Sequence, residues 1–373
     1  MKIIFFGATG DMGQRAVKEL CSFPEISQVT VVARSRARYE KLLEKTGEGK
    51  EKLKLLEADI NRIEDPGSLM GGHDLVANAA GPFYKYEGRL AKGAAAAGVH
   101  YVSICDDSDA VEEVFKMEEE INKKGILVLT GVGWTPGLSS LLARAGADSL
   151  DKVDKINISW AGTSDDASGI AVILHTLHIC EGRIPSFLEG SWQMIPAGSG
   201  REKVRFPQPV GEIYVYHVGH PEPLTMPRYF PGISQVTLKG GINEDLLNRL
   251  AILLGKMRIS RKGLTRDMLA HLVQKMLPLL RRAAGAAPEE SGIRVDLYGL
   301  SRGKKYGLTY SAAGPMDILT GVPLAVALRE IARGKVKGTG VFAPEAPGLL
   351  DPQVFFQELE KKGVEIFKEK NEV

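Results

Sequence analysis

Gly7-Ala8-Thr9-Gly10-Asp11-Met12-Gly13 follows the apolar run Ile3-Ile4-Phe5-Phe6 and opens an amphipathic stretch over residues 12–22. A strand that ends in spaced glycines and runs directly into a helix is a turn suited to phosphate. Glycine permits the tight turn and the close approach of backbone to a pyrophosphate. The helix N-terminus adds unbonded amide N–H groups and the positive end of its dipole. The spacing is GxxGxxG, a variant of GxGxxG, and the strand before it and the helix after it give it weight. Gly7, Thr9, Gly10, Asp11, Met12 and Gly13 are therefore candidate pyrophosphate contacts. An ordinary glycine-rich turn is the bland alternative.

Apolar runs of strand length recur at residues 29–33, 53–56, 75–80, 101–104 and 126–129, with helical stretches at 37–46, 86–97 and 110–123. Unbroken apolar runs suit parallel strands buried on both faces. Their alternation with helices implies βαβ units and a doubly wound α/β sheet of the Rossmann type. The end of the second run then selects the dinucleotide. NAD sites usually carry an acid there, about 20 residues past the glycines. This chain has Arg34-Ser35-Arg36 instead. Arg34 can fork onto a 2′-phosphate, Ser35 can donate to it and Arg36 adds charge, so NADP is expected, with NAD as the other candidate. A solvated basic helix start is the alternative. Asp59 and Ile60 follow the third strand, where adenine usually lies. Ala80, Gly81 and Pro82 close the fourth, beside the expected nicotinamide ribose.

The pattern changes after Pro136-Gly137. Strands are expected at 155–160, 213–218, 235–240, 292–301 and 305–312, the last two joined by a turn at Arg302-Gly303. Helices are expected at 247–256, 264–282, 317–333 and 351–362. Ile184-Pro185, Phe206-Pro207-Gln208-Pro209, Pro221–Pro223, Met226-Pro227 and Phe230-Pro231 read as loops, because proline disfavours central strands. The expected division is a Rossmann domain over 1–138, an α+β substrate and dimerisation domain over 139–312, and a C-terminal segment over 313–373.

Composition excludes several classes. The 373 residues carry 48 Lys+Arg and 46 Asp+Glu, a formal charge of +2, which argues against a nucleic-acid partner. Cys21, Cys105 and Cys180 form no CxxC pair and no ligand-spaced cluster, so neither a disulfide framework nor a metal site is expected. The N-terminal apolar run is too short for a secretory signal, and residues 170–180 are too few to span a bilayer and contain His175 and His178. A cytoplasmic protein with no membrane partner is expected.

With these blocks stand Asn78-Ala79-Ala80-Gly81-Pro82-Phe83-Tyr84, His100-Tyr101-Val102, Pro136-Gly137-Leu138, Gly182-Arg183-Ile184-Pro185-Ser186, Pro196-Ala197-Gly198-Ser199-Gly200, Thr320-Gly321-Val322-Pro323 and Gly340-Val341-Phe342-Ala343-Pro344-Glu345. Together they make a chain that resembles the saccharopine dehydrogenase-like family, which includes saccharopine reductase, carboxynorspermidine dehydrogenase and lysine 6-dehydrogenase. The resemblance implies that the helix over 317–333 returns to the first domain. It implies a homodimer through the sheet of the second domain. It also implies hydride transfer at a C–N bond of an amino-acid-like or polyamine-like small molecule.

The candidate catalytic residues follow the fourth and fifth strands: Tyr84, Lys85, Asp106 and Asp107. A carboxylate there could take a proton from an amine if its neighbour raised its pKa, and Asp106-Asp107 would equally suit a helix N-cap. Trp134, His220 and Arg228 are candidate substrate contacts. Arg228 could hold a carboxylate, and His217 and Glu222 lie in the same proline-rich region. His175 and His178, on an apolar helix, read as core. Two other functions compete: a semialdehyde dehydrogenase using Cys105, disfavoured by the acids beside that thiol, and a non-catalytic NADP-sensing or scaffold protein.

Overall fold

β1 (Lys2–Phe6) lies inside a parallel sheet, paired on one side with β2 (Gln28–Ala33) and on the other with β4 (Leu75–Asn78). β3 (Leu53–Glu57) extends it beyond β2; β5 (His100–Ser103), β6 (Leu127–Leu129) and β15 (Gly340–Phe342) extend it beyond β4. The order 3-2-1-4-5-6 is that of a dinucleotide-binding sheet, with β15 as a seventh strand. The connecting helices are α1 (Asp11–Ser22), α2 (Arg36–Thr46), α3 (Phe83–Ala97), α4 (Ser108–Lys116) and α5 (Glu118–Lys124). The single helix expected over 110–123 is two, because the backbone turns at Met117.

This computed structural model describes residues 1–166, 169–257 and 266–372. The chain divides into two units. The first comprises Met1–Leu141 and Asp317–Lys362. It therefore includes α11 (Met316–Ala332), β15 and α12 (Pro352–Glu360). Arg15 Nε of α1 lies 2.8 Å from Asp317 Oδ2, and a Cβ on Gly321 would stand 2.6 Å from Arg15 Cγ. A bare backbone at Gly321 thus lets α11 lie directly on α1, which returns the C-terminal helix to the first domain.

The second unit takes the chain from Leu142, inside α6 (Leu138–Ala147), to Met316 and again from Gly363. Its mixed sheet runs β10 (Glu202–Arg205), β11 (Glu212–His217), β12 (Gln235–Ile242), β7 (Lys152–Gly162), β13 (Ser291–Ser301), β14 (Lys304–Gly314), β16 (Phe367–Glu372). The hairpin β8 (Arg183–Leu188) and β9 (Ser191–Pro196) attaches through β12. Arg302 and Gly303 both take positive φ, as a two-residue hairpin turn between β13 and β14 requires. The helices are α7 (Ile170–Ile179), α8 (Glu222–Tyr229), α9 (Asp245–Met257) and α10 (Arg266–Ala284). Leu264 and Thr265, the first residues of one expected helix, lie outside the described residues.

Three expectations are corrected. Ile184-Pro185 is not a loop: Pro185 pairs with Met194 in the β8–β9 hairpin, away from the middle of the sheet, where a missing N–H is tolerated. Pro221–Pro223 and Met226-Pro227 build α8; Pro223 stands in its first turn, where the missing N–H costs nothing, and Pro227 lies inside it. From Gly363 onward the chain belongs to the second unit, since β16 pairs with the outer edge of β14.

Candidate functional site

The glycines of the first turn divide their work. Gly7 has φ +80°, and a Cβ there would lie 2.3 Å from the Ala79 carbonyl carbon. A Cβ on Gly13 would lie 2.2 Å from the Gly7 oxygen. Both are glycine because protein backbone already fills the space. Gly10 is different: its Cβ would meet only the Gly7 oxygen, at 3.4 Å. The space beside it is open, so no packing within the protein requires glycine there. Gly10 is also the N-cap of α1, with no side chain bonded to the first-turn N–H groups. Helix-end donors left without a cap suit an anion. Thr9, through its carbonyl, accepts from Gln14 Nε2 at 2.8 Å, and Asp11 and Met12 begin the exposed first turn.

At the end of β2, Ser35 is the N-cap of α2 in extended conformation, yet its hydroxyl makes no cap bond. The first turn of α2 holds no acid, and Arg34 and Arg36 are exposed. A hydroxyl and two guanidinium groups thus stand in sequence at a helix N-terminus. Asp59 follows β3. Its carboxyl is held below the usual range by the Asn61 backbone N–H, then by the Asn61 side chain and the charges of Arg34 and Arg62. Ile60 beside it is half-buried.

Below Ala80–Pro82 lies a buried polar network that sequence reasoning missed. Glu87 of α3 is fully buried, and its carboxylate accepts from Asn78 Nδ2 (3.0 Å), Tyr101 Oη (2.7 Å), Ser103 Oγ (2.5 Å) and Thr130 Oγ1 (3.0 Å). Burial pushes its pKa up, and the four donors offset part of that. Asn78 Oδ1 accepts from the Ala80 N–H at 2.8 Å. The network therefore ties β4, β5 and the chain after β6 together and fixes the backbone where the nicotinamide ribose is expected. The available signal was a lone Glu among the apolar positions of the 86–97 helix.

Asp107 is fully buried and stands at the N-cap of α4, but its carboxylate serves another helix: it accepts from the Tyr84 backbone N–H at 2.8 Å, in the first turn of α3. Asp106 keeps partial exposure. Lys85 is exposed, with Nζ 6.0 Å from the Tyr84 ring centroid. Cys105 is fully buried; burial, then the charges of Glu87, Asp107 and Asp106, pushes its thiol up, which disfavours the thiolate that thiohemiacetal chemistry needs. Trp134 is buried beside Gly137, whose Cβ would strike the Gly133 backbone at 2.1 Å.

The second unit gathers a separate set. His220 and Glu222 are both buried, with Nδ1 and Oε2 3.9 Å apart. The His220 ring lies 5.3 Å from His175, edge to face, and 5.6 Å from Trp160. Arg228 is exposed in the last turn of α8. His178 is bound to Arg266 (2.9 Å), and burial, then Lys239, lowers the pKa of His217, whose ring Nδ1 meets the Leu238 carbonyl at 3.3 Å.

Residues 3–129 match the family described as saccharopine dehydrogenase NADP binding domain. The whole fold is similar to apo histidine-tagged saccharopine dehydrogenase (L-Glu forming) from Saccharomyces cerevisiae, over 99% of each chain, with TM-score 0.69 and 15% identity. Lower similarities reach the C. glutamicum DAP dehydrogenase in complex with DAP (TM-score 0.47, 12% identity, 95% of each chain). They also reach the amine dehydrogenase from Mycobacterium smegmatis (TM-score 0.48, 11% identity, 94% of this chain and 97% of that one). The match gives residues 3–129 as a nucleotide-binding domain of the saccharopine dehydrogenase type, and the similarity of fold extends over the whole chain. It is an oxidoreductase with a nicotinamide dinucleotide site.

Proposed function

We propose that this saccharopine dehydrogenase-like chain is an NADP(H)-dependent oxidoreductase that transfers hydride at a C–N bond of an amino-acid-like or polyamine-like substrate. The observation that carries this reading is a coincidence at one sheet edge. The C-terminal ends of the adjacent strands β1, β4 and β5 present the open, uncapped turn at Gly10 and the Tyr84–Asp107 pair. Open α/β sheets bind their ligands at that edge.

The residues present fit the dinucleotide. The α1 N-terminus receives its pyrophosphate at Gly7, Thr9, Gly10, Asp11, Met12 and Gly13. Arg34, Ser35 and Arg36 take its 2′-phosphate. Asp59 and Ile60 flank adenine, and Ala80, Gly81 and Pro82 hold the nicotinamide ribose. NADP(H), when bound, supplies or accepts the hydride. Asp106, partly exposed, handles the proton on the substrate nitrogen; Asp107 anchors the α3 turn that positions Tyr84 and Lys85. Trp134 of the same unit contacts the substrate. A homodimer through the sheet of the second unit belongs to the same reading. The polar face there holds a cavity of about 480 Å³ lined by Asn157, Gln235, Thr237, Lys239, Arg294 and Asp296.

The test is a titration of NADPH and NADH, followed by a turnover screen with amino acids, polyamines and keto-acid plus amine pairs. Preference for NADPH and turnover of a C–N substrate are expected. Equal affinity for both cofactors removes the NADP assignment; tight NADPH binding without turnover of any such compound leaves a sensing protein instead.

A further inference from the structure

Two helices of the second unit carry an apolar surface that the reaction does not use. Leu246, Leu253 and Met257 on α9, and Leu272, Met276 and Leu279 on α10, are each between 43% and 65% exposed. Their spacings are seven and four on α9, four and three on α10, so each set forms one stripe along its helix. On its inner side each stripe borders a shallow apolar groove lined by Leu250 and Leu254 of α9 and Val273 and Leu280 of α10. On its outer side each meets basic residues at helical spacing: Arg249 and Lys256 on α9, Lys275 and Arg282 on α10.

The charge is concentrated here. Six basic and two acidic residues give α9 and α10 a net +4, against +2 for the whole chain. Arg249, Arg266 and Arg281 pair with Asp245, Glu181 and Asp165, which leaves Lys256, Lys275 and Arg282 as the charge presented at the rims.

From this arrangement we infer that α9 and α10 form a docking face for an anionic phospholipid surface. Three features select that occupant. Basic rims call for an anionic partner. A second copy meeting this face about a two-fold axis would set basic rim against basic rim. The groove encloses only about 60 Å³, and the exposed Leu and Met side chains stand on the ridges beside it. Such a surface inserts into something soft and has little room to receive a ligand or a helix. Apolar ridges flanked by Lys and Arg that reach for headgroups are the pattern of helices lying in a bilayer interface. No described helix is long and apolar enough to cross a membrane, so the contact is peripheral. This departs from the sequence expectation of no membrane partner, which considered spanning segments.

The test is flotation of the full chain with phosphatidylcholine vesicles, with and without phosphatidylglycerol. Binding to the anionic vesicles only, weakened by added salt, is expected. The double variant Leu272→Ser, Leu279→Ser should bind about tenfold more weakly or worse. Lys275→Gln and Arg282→Gln should each cost about fivefold. Unchanged NADPH affinity and melting temperature show that the variants are folded. No flotation of the unmodified chain overturns the inference whatever the variants do. So does a solution oligomer that the double variant dissolves, or capture of an acidic amphipathic peptide without vesicle binding.

Discussion

Apart from its edge strand β3, the strands of the first sheet are buried on both faces; in the second, β7, β12 and β13 alternate. β1 and β4 are apolar and buried almost throughout, so their side chains are committed to packing and chemistry is left to the strand ends. In β7, β12 and β13 every second residue reaches a polar face, while Ile156, Ile158, Val236, Leu238, Val295 and Leu297 stay buried. The first arrangement concentrates function at one edge, where a few glycines and side chains decide it. The second spreads its polar side chains over a face.

The largest effect expected from this contrast is at the strand-end glycines. Gly7→Ala and Gly13→Ala force a Cβ into backbone and should each destabilise the protein by about 3 kcal/mol or more in urea unfolding. Gly10→Val, on the open side of the same turn, should change stability by no more than about 1 kcal/mol and abolish NADPH binding. Equal destabilisation by all three would remove the ligand role of Gly10. Next in size, Asp106→Asn should lower turnover about 10²-fold or more, the ordinary size of a general-base effect. Asp107→Asn, whose amide oxygen can still accept from Tyr84, should cost less; the reverse order would move the proton to Asp107. Arg34→Ala should weaken NADPH about tenfold and spare NADH, in line with one charge-assisted contact.

Glu87 gives a slope with pH. Its folded pKa is raised by burial above the unfolded value, so the stability tied to its proton is fully present below the unfolded pKa. That stability is lost as pH rises through the folded pKa, and Glu87→Gln should flatten the loss in chemical denaturation followed across pH. The smallest effect belongs to the second sheet. Gln235→Thr on the polar face should change stability by no more than about 0.5 kcal/mol, and a larger cost would mean that face is packed like the first sheet.

The same contrast explains what could be read from the chain alone. Each of the six apolar runs became a strand within two residues of its expected ends; burial on both faces imposes the unbroken pattern on all of them but β3, where Lys54 and Glu57 are exposed. α6 was missed: Leu138-Ser139-Ser140-Leu141-Leu142 follows Pro136-Gly137 with no cap signal, and its residues through Leu142 are buried, so no polar face marks its period. β16 reads Phe-Lys-Glu-Lys-Asn-Glu and is exposed throughout; only its pairing with β14 makes it a strand. The glycine turn between β1 and α1 was legible because its signal is local. The Glu87 network was not, since its four donors come from residues 9 to 43 positions away.

The chain enters the first unit, leaves within α6, comes back at Asp317 and leaves again after Lys362. A ribosome releasing this polypeptide from its N-terminus delivers β1 to β6 long before β15, which covers the outer edge of β6. Until about two hundred further residues have been made, that edge stands open to mispairing. The second unit waits in turn for β16, which comes only after the chain has returned through the first unit, to cover β14. Neither unit is built from one continuous stretch, so its assembly depends on contacts between distant parts of the chain, the condition under which folding is slow and chaperones are most engaged.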